Sequence, residues 1–426
     1  MTNEITRPQN GKDNIEFTGF ELENGLRVVL SEDHSIPAVA LNICYHVGSK
    51  DEEPGKTGFA HLFEHLMYEG SAHIPKGEYE RLTTFAGGEN NAYTTEDKTN
   101  YYLLLPSNQL ELGLWLESDR MLECVVNEQS LETQKRVVIE EKKQSFDNRP
   151  YGSVSLEFAP RLFPGSGYGW DTIGNIDDIK NASLKDVKNF FKKFYTPNNA
   201  VLSLTGNFDS GEAADIIRHY FSGIKRGDSF KRKNAEYVSP NKEINEKISD
   251  NVQFPGIFSA YRIPPENSKE FFAFELLSEI LSSGDSSRLY KELVYEKQLA
   301  AEVGCWADCK EFAGVLNTYA ILMPETGISE AERTIVSIIK SIANEGVSEE
   351  ELQKAKNRIE TKNFFRRQYI LSKADMLAHY ETFYNNPELI NTNIRNYSTV
   401  TVKDITHFSK KYLKPDNSVT LIYLPK

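Results

Sequence analysis

LKDVKNFFKKFYTPNNAV, Leu184–Val201, and VKDITHFSKKYLKPDNSV, Val402–Val419, are one stretch written twice. Eight positions are identical: a Lys-Asp pair, a Phe, a Lys-Lys pair, a Pro, an Asn and the final Val. Each copy reads as a helix that stops before a proline and is followed by a strand, AVLSLTG in one and SVTLIY in the other. The offset is 218 residues. A second pair lies upstream, VNEQSLETQKRVVIEEK (Val126–Lys142) against VSEEELQKAKNRIETK (Val347–Lys362). Val126, Glu128, Leu131 and Lys135 fall on Val347, Glu349, Leu352 and Lys356. Two elements repeated in the same order at nearly one offset imply duplicated domains, and the period is far above that of solenoid repeats.

The rest of the chain fits that frame. Its 426 residues are too many for one ordinary core. The stretch IKRGDSFKRKNAEYVSPNKEINEKISD, Ile224–Asp250, is charged and poor in large aliphatic residues, as a domain boundary should be. The expected division is therefore a first domain over 1–225, a linker over 226–250 and a homologous second domain over 251–426. Strands such as GLRVVL and AVALNICYHV are interspersed with helices without a regular βαβ period. This predicts an α+β fold, each domain a mixed β-sheet packed with helices.

Composition narrows the function. A net charge of -13 argues against nucleic acid as a partner, because phosphate binding needs a basic surface. No run of 18 apolar residues is present, so no spanning helix is expected. The polar start, MTNEITRPQNGKDNIEF, carries no hydrophobic signal core, so the expectation is a cytoplasmic protein, or a periplasmic one if a leader has been removed. Cys44, Cys124, Cys305 and Cys309 form no CxxC pair and read as buried, reduced thiols.

The chemistry concentrates in GFAHLFEHLMYEGS, Gly58–Ser71. Leu62, Phe63, Leu66 and Met67 make the apolar face of a helix that Gly70 ends. His61 and His65, at i and i+4, stack on one face and can both reach one divalent ion. Glu64 lies beside them, placed to take a proton from an attacking water without itself binding the metal. With eight histidines in the chain, the HxxEH spacing of the inverted zincins arises by chance in about 1% of such sequences. The other six histidines are scattered and read as structural or solvated. Catalytic zinc needs a third protein ligand. Its region is RVVIEEK, Arg136–Lys142, where Glu140 and Glu141 point about 100° apart, so that only one can face the site. Local reasoning leaves the choice open.

GSKDEEPGKTGFAHLFEHLMYEGS, with the VVIEEK segment, resembles the signature of the M16 (pitrilysin-like, inverted-zincin) metallopeptidases. These include insulin-degrading enzyme and the mitochondrial processing peptidases, and the likeness is to a short two-domain subunit. The resemblance covers essentially the whole chain. It implies zinc, one per chain, held by His61, His65 and Glu141, the last standing 76 residues after His65. It assigns Glu64 as the general base. The family often has a glutamate seven residues before the third ligand; here Gln134 stands there, able to support a ligand by hydrogen bonding but not by charge. GGENNAYT, Gly87–Thr94, matches the family's substrate-pairing edge strand, with Asn91 and Ala92 at the contact positions.

The second half differs. With Gly70 set on Gly284, the HxxEH positions become Glu275, Ser278 and Glu279, and Glu141 becomes Lys362, so no catalytic metal is expected there. Arg288 and Tyr295, seven apart and hence expected on one helical face, match the pair with which active members hold the substrate backbone. The resemblance thus implies a zinc endopeptidase acting on unstructured peptides within a chamber formed by a homodimer. The alternatives are a heterodimer with a related subunit, a presequence-type processing peptidase, and a non-catalytic core subunit.

Overall fold

The computed structural model describes residues 5–6, 14–232 and 242–426. Two mixed sheets packed with helices make the chain α+β. The strands are β1 (Ile5–Thr6), β2 (Thr18–Glu21), β3 (Arg27–Glu32), β4 (Ala38–Tyr45), β5 (Glu89–Thr94), β6 (Thr99–Pro106) and β7 (Ala200–Gly206), then β8 (Ile244–Asp250), β9 (Gly256–Ile263), β10 (Ala300–Cys309), β11 (Gly314–Leu322) and β12 (Ser418–Pro425). The helices that frame them are α1 (Phe59–Leu66), α2 (Glu128–Lys142), α3 (Val154–Leu162), α4 (Leu184–Phe194), α5 (Lys269–Ser282), α6 (Glu349–Arg366), α7 (Ile370–Tyr384) and α8 (Val402–Tyr412).

The first sheet runs β1-β2-β3-β7-β4-β6-β5 and the second β10-β11-β9-β12-β8. Read from its other end, the second sheet repeats β3-β7-β4-β6-β5 strand for strand. The parallel pair recurs as well, β3 with β7 and β8 with β12. The duplication read in the sequence is thus a duplication of topology. The repeated residues have repeated jobs. Ser183 and Thr401 cap α4 and α8 by accepting from the N–H of Asp186 and Asp404. Asn199 Nδ2 donates to Phe194 O at 2.8 Å, and Asn417 Nδ2 to Tyr412 O at 2.7 Å. Each asparagine therefore fastens the end of its helix to the strand that follows.

The compact units are not the contiguous stretches 1–225 and 251–426. Unit 1 comprises Met1–Glu140, Thr172–Lys233 and Phe364–Thr392; unit 2 comprises Glu141–Asp171, Asn234–Asn363 and Asn393–Lys426. Each copy sends the helix after its repeated helix into the other unit. In unit 1, Met376, Leu377, Ala378 and Tyr380 of α7 pack with Val29, Cys44 and Val201 of the sheet. In unit 2, Phe158 and Leu162 of α3 pack with Phe258, Val419, Leu421 and Tyr423. The central strands β4, β7 and β9 are buried almost throughout, so both faces of each sheet need an apolar cover, and these helices supply part of it. Of the expected linker, 233–241 lies outside the described residues, and its last part is strand β8, which pairs with β12. Among the cysteines, Cys44 is buried, Cys124 and Cys305 are half-buried and Cys309 is exposed, contrary to the expectation of four buried thiols. Cys309 ends β10, one of the two edge strands of its sheet among the described residues. Among the described residues no helix is long and apolar enough to cross a membrane.

Candidate active site

Helix α1 is short, and its geometry is set from outside the helix. Phe59, Ala60, Leu62, Phe63 and Leu66 bury one face. Phe63 stacks on Phe190, Phe191 and Tyr195, with ring centroids 5.5, 6.1 and 5.0 Å away. The helix begins at Gly58, which has φ +84°, and a Cβ there would meet Ile173 O at 2.8 Å, so only glycine fits. Glycine has no side chain to cap with. The buried Glu52 does so instead, accepting from the N–H groups of Gly58 and Ala60, both at 2.8 Å. A carboxylate at this end also complements the helix dipole. Glu52 precedes Gly58 by six residues, outside the spacing of ordinary capping motifs, so sequence reading missed it.

The opposite face carries the chemistry. His61 Nε2 and His65 Nε2 stand 3.4 Å apart, with the rings perpendicular. Helix α2 starts where Asn127 and Ser130 exchange hydrogen bonds, Ser130 N–H to Asn127 Oδ1 at 2.9 Å and Asn127 N–H to Ser130 Oγ at 3.0 Å. One ligand atom from each of His61, His65 and Glu141 lies within 4.8 Å of the others, and all three residues are half-buried. Glu140, the alternative left open, is exposed. The donor set fits a divalent zinc ion. Two nitrogens bound tetrahedrally at about 2.0–2.1 Å would lie roughly 3.4 Å apart, and one carboxylate completes three protein ligands with a position left over.

Glu64 accepts from Thr94 Oγ1 at 2.6 Å. Thr94 ends β5, which among the described residues pairs with β6 alone and so forms one edge of its sheet. No sequence signal marked Thr94, because the contact is tertiary. On the same strand Asn91 is exposed and Ala92 half-buried. Asn91 Oδ1 accepts from the Ala92 N–H at 2.8 Å.

Three expected residues have surroundings the sequence did not predict. Gln134 Nε2 donates to the buried Glu69, which also accepts from Lys76 Nζ at 2.6 and 2.8 Å. Its hydrogen bond goes to Glu69 rather than to a ligand, and its Oε1 is buried without a hydrogen-bond partner among the described residues. Arg288 holds Glu351 with two bonds of 2.7 and 2.8 Å and donates to Gly346 O at 3.1 Å. Tyr295 is 76% exposed. The segment Tyr290–Glu296 is π-helical; its wider turn means that seven residues no longer return to the same face, as an α-helix would have required.

At the matching positions of unit 2, Glu279 accepts from Lys362 Nζ and, at 3.2 Å, from Arg358 Nε. Glu275 accepts from the Tyr397 hydroxyl, and Ser278 Oγ donates to Glu275 O at 2.8 Å. Gly70 and Gly284, the residues that set the correspondence, both have positive φ, 132° and 82°.

Comparison with known proteins matches the chain to one family. Residues 27–157 match the family described as Insulinase (Peptidase family M16), and residues 181–359 match Peptidase M16 inactive domain. The chain is 26% identical over 421 residues to the zinc protease PqqE of Helicobacter pylori, covering 95% of this chain and 92% of that one. It is 27% identical over 343 residues to an uncharacterised zinc protease of Mycobacterium leprae, covering 79% and 76%. Among solved structures, a protease from Helicobacter pylori superposes with a TM-score of 0.90 at 25% identity, covering 96% of this chain and 100% of that one. Pitrilysin shares the fold, with a TM-score of 0.81 at 19% identity; all of this chain covers 46% of the pitrilysin chain.

Proposed function

Because the chain belongs to the M16 peptidase family, we propose that it is a zinc-dependent endopeptidase that hydrolyses unstructured peptides. The observation that carries this reading is the meeting of His61, His65 and Glu141 donor atoms within 4.8 Å of one another, with Glu64 between the two histidines on the same helix. Zinc, one per chain, would be held by these three residues, and when bound it polarises a peptide carbonyl and makes water acidic enough to attack near neutral pH. Glu64 takes the proton of the attacking water and returns it to the leaving amine. The Thr94 hydroxyl at 2.6 Å orients the Glu64 carboxylate before substrate arrives.

An extended peptide adds to the open edge of β5, where backbone bonding gives affinity with little demand on sequence. Asn91 and Ala92 stand on that edge, and Asn91 yields the Ala92 N–H it now holds. Arg288 and Tyr295 of a second copy act as donors to the substrate backbone. Pitrilysin's chain is about twice the length that this one covers, which supports a homodimer as the working assembly, with a heterodimer as the alternative.

The test is a quenched fluorescent peptide with no stable structure. Chelation is expected to abolish cleavage and zinc to restore it, and Glu64→Gln is expected to keep the metal while losing hydrolysis. Cleavage by the metal-free protein, or by Glu64→Gln at the wild-type rate, would sink the reading.

A further inference from the structure

We propose that Asp375, on a helix from the second half of the chain, is a positioning residue for Glu64, acting through the edge strand β5; this rests on the reading of Glu64 as the general base. Asp375 lies on α7, within unit 1. Its Oδ1 accepts from the Tyr93 hydroxyl at 2.5 Å and from Lys98 Nζ at 3.0 Å. Tyr93 is the penultimate residue of β5, and Lys98 immediately precedes β6. One carboxylate therefore clamps both sides of the β5–β6 turn.

The clamp reaches Glu64 through the alternation of a strand. Successive side chains leave a strand on opposite faces. Tyr93 points toward α7 and bonds Asp375; Thr94, the next residue, points toward α1 and bonds Glu64. Fixing the Tyr93 hydroxyl on one face fixes the height and register of the Thr94 hydroxyl on the other. An edge strand needs such a device, because only one neighbour holds its register. Further contacts seat the same turn. Ser49 N–H donates to Thr95 O at 3.3 Å and Lys50 N–H to Glu96 O at 3.0 Å. The backbones approach so closely that a Cβ on Gly48 would meet Thr95 O and Glu96 O at 2.4 Å.

The chemistry of the cluster suits a fixed clamp. The Lys98 side chain is 10% exposed and that of Asp375 30%. Burial pushes the Asp375 carboxyl up, but the Lys98 ammonium and the Tyr93 hydroxyl outweigh it and hold it below its ordinary range. Burial raises the Tyr93 hydroxyl well above its own. The cluster is thus a carboxylate, an ammonium and a neutral phenol across the neutral range. A largely buried ion pair adds little net stability but enforces one geometry.

The experiment measures kcat, KM, zinc content and Tm for Tyr93→Phe, Thr94→Val, their double variant, Asp375→Asn and Asp33→Asn. Asp375→Asn strands a buried cation and risks the fold, so Tyr93→Phe is the primary variant. Asp33 is the control, since it pairs with Lys373 on the same helix, away from β5. Tyr93→Phe and Thr94→Val are each expected to lower kcat about three- to ten-fold, with KM within about two-fold and zinc unchanged. The double variant should be no worse than Thr94→Val alone, because both changes cut one line of contacts. Asp33→Asn should lower Tm and leave kcat alone. Multiplying effects in the double variant, or a kcat loss in Asp33→Asn matching that of Asp375→Asn, overturns the proposal. A zinc-loaded wild type that cleaves nothing, or an active Glu64→Gln, overturns instead the reading on which it stands.

Discussion

The two halves of the molecule solve the same packing problem with opposite charge. In unit 1 the paired helices α1 and α2 turn two imidazoles and a carboxylate toward one point, an arrangement that calls for a cation. In unit 2 the paired helices α5 and α6 meet in the same register, but Glu279 stands at the place of His65 and Lys362 at the place of Glu141, and they bond each other. Arg358, one turn earlier on α6, adds a second positive charge to Glu279. The cation is built into the protein, so nothing needs to be bound from solution. The duplicated frame therefore keeps its helix contact while the candidate ligand set stands in one copy alone among the described residues. What separates the candidate metal site from the salt bridge is three side chains, not the backbone.

The comparison can be broken most directly at its matched positions. Glu141→Ala should lose both zinc and hydrolysis, whereas Lys362→Ala should keep zinc at one per chain and activity within about two-fold, as expected of a mostly exposed ion-pair partner. Metal analysis on both variants decides it; zinc loss in Lys362→Ala would mean that the second site is not inert. The next test asks whether unit 2 takes part in the chemistry. Tyr295→Phe should lower kcat about 10²-fold with zinc retained if its hydroxyl is a fixed donor to the reacting carbonyl; a rate within error of wild type leaves Tyr295 an exposed surface residue. A smaller effect is expected at Gln134, whose amide donates to the buried Glu69. Gln134→Glu sets a second carboxylate there and should cost about 1–3 kcal/mol in denaturant unfolding.

The smallest effect is a pH dependence in unit 2. Burial pushes Glu279 up, and the hydrogen bonds and charge of Lys362, with help from Ser283 and Arg358, outweigh it, so its carboxyl is held below the ordinary 4.5. A carboxyl lowered in the folded state contributes stability that is complete above its unfolded value and lost as pH falls through its folded one. Glu279→Gln should therefore show a shallower fall in Tm than wild type on acidification below about 4.5. Parallel curves would mean that the pair contributes nothing to folding.

The local patterns carried far. Residues four apart on a helix must share a face, so the His61 and His65 pair was legible at once, and the repeated Lys-Asp, Lys-Lys, Pro and Asn positions of α4 and α8 and the segments after them disclosed the duplication. Glu141 needed the family resemblance, because neighbouring carboxylates on a helix are locally equivalent until a partner helix is present. The π-helical turn between Arg288 and Tyr295 was not legible, because a helix leaves the 3.6-residue period only when surrounding packing stabilises it.

What the amino-acid sequence determined by itself was the existence of two homologous α+β halves and the chemical asymmetry between them. Both rest on short-range spacing, which backbone geometry converts directly into a face or a turn. Only the tertiary structure decided which sheet α3 and α7 cover, which carboxylate caps α1 and which hydroxyl donates to Glu64. An apolar helix face specifies that it must be buried but not against what, because burial is non-directional. A single carboxylate or hydroxyl likewise carries no address for its partner. The exchange of α3 and α7 between the halves and the line from Asp375 through Tyr93 and Thr94 to Glu64 arise only when residues hundreds of positions apart are brought within hydrogen-bonding distance.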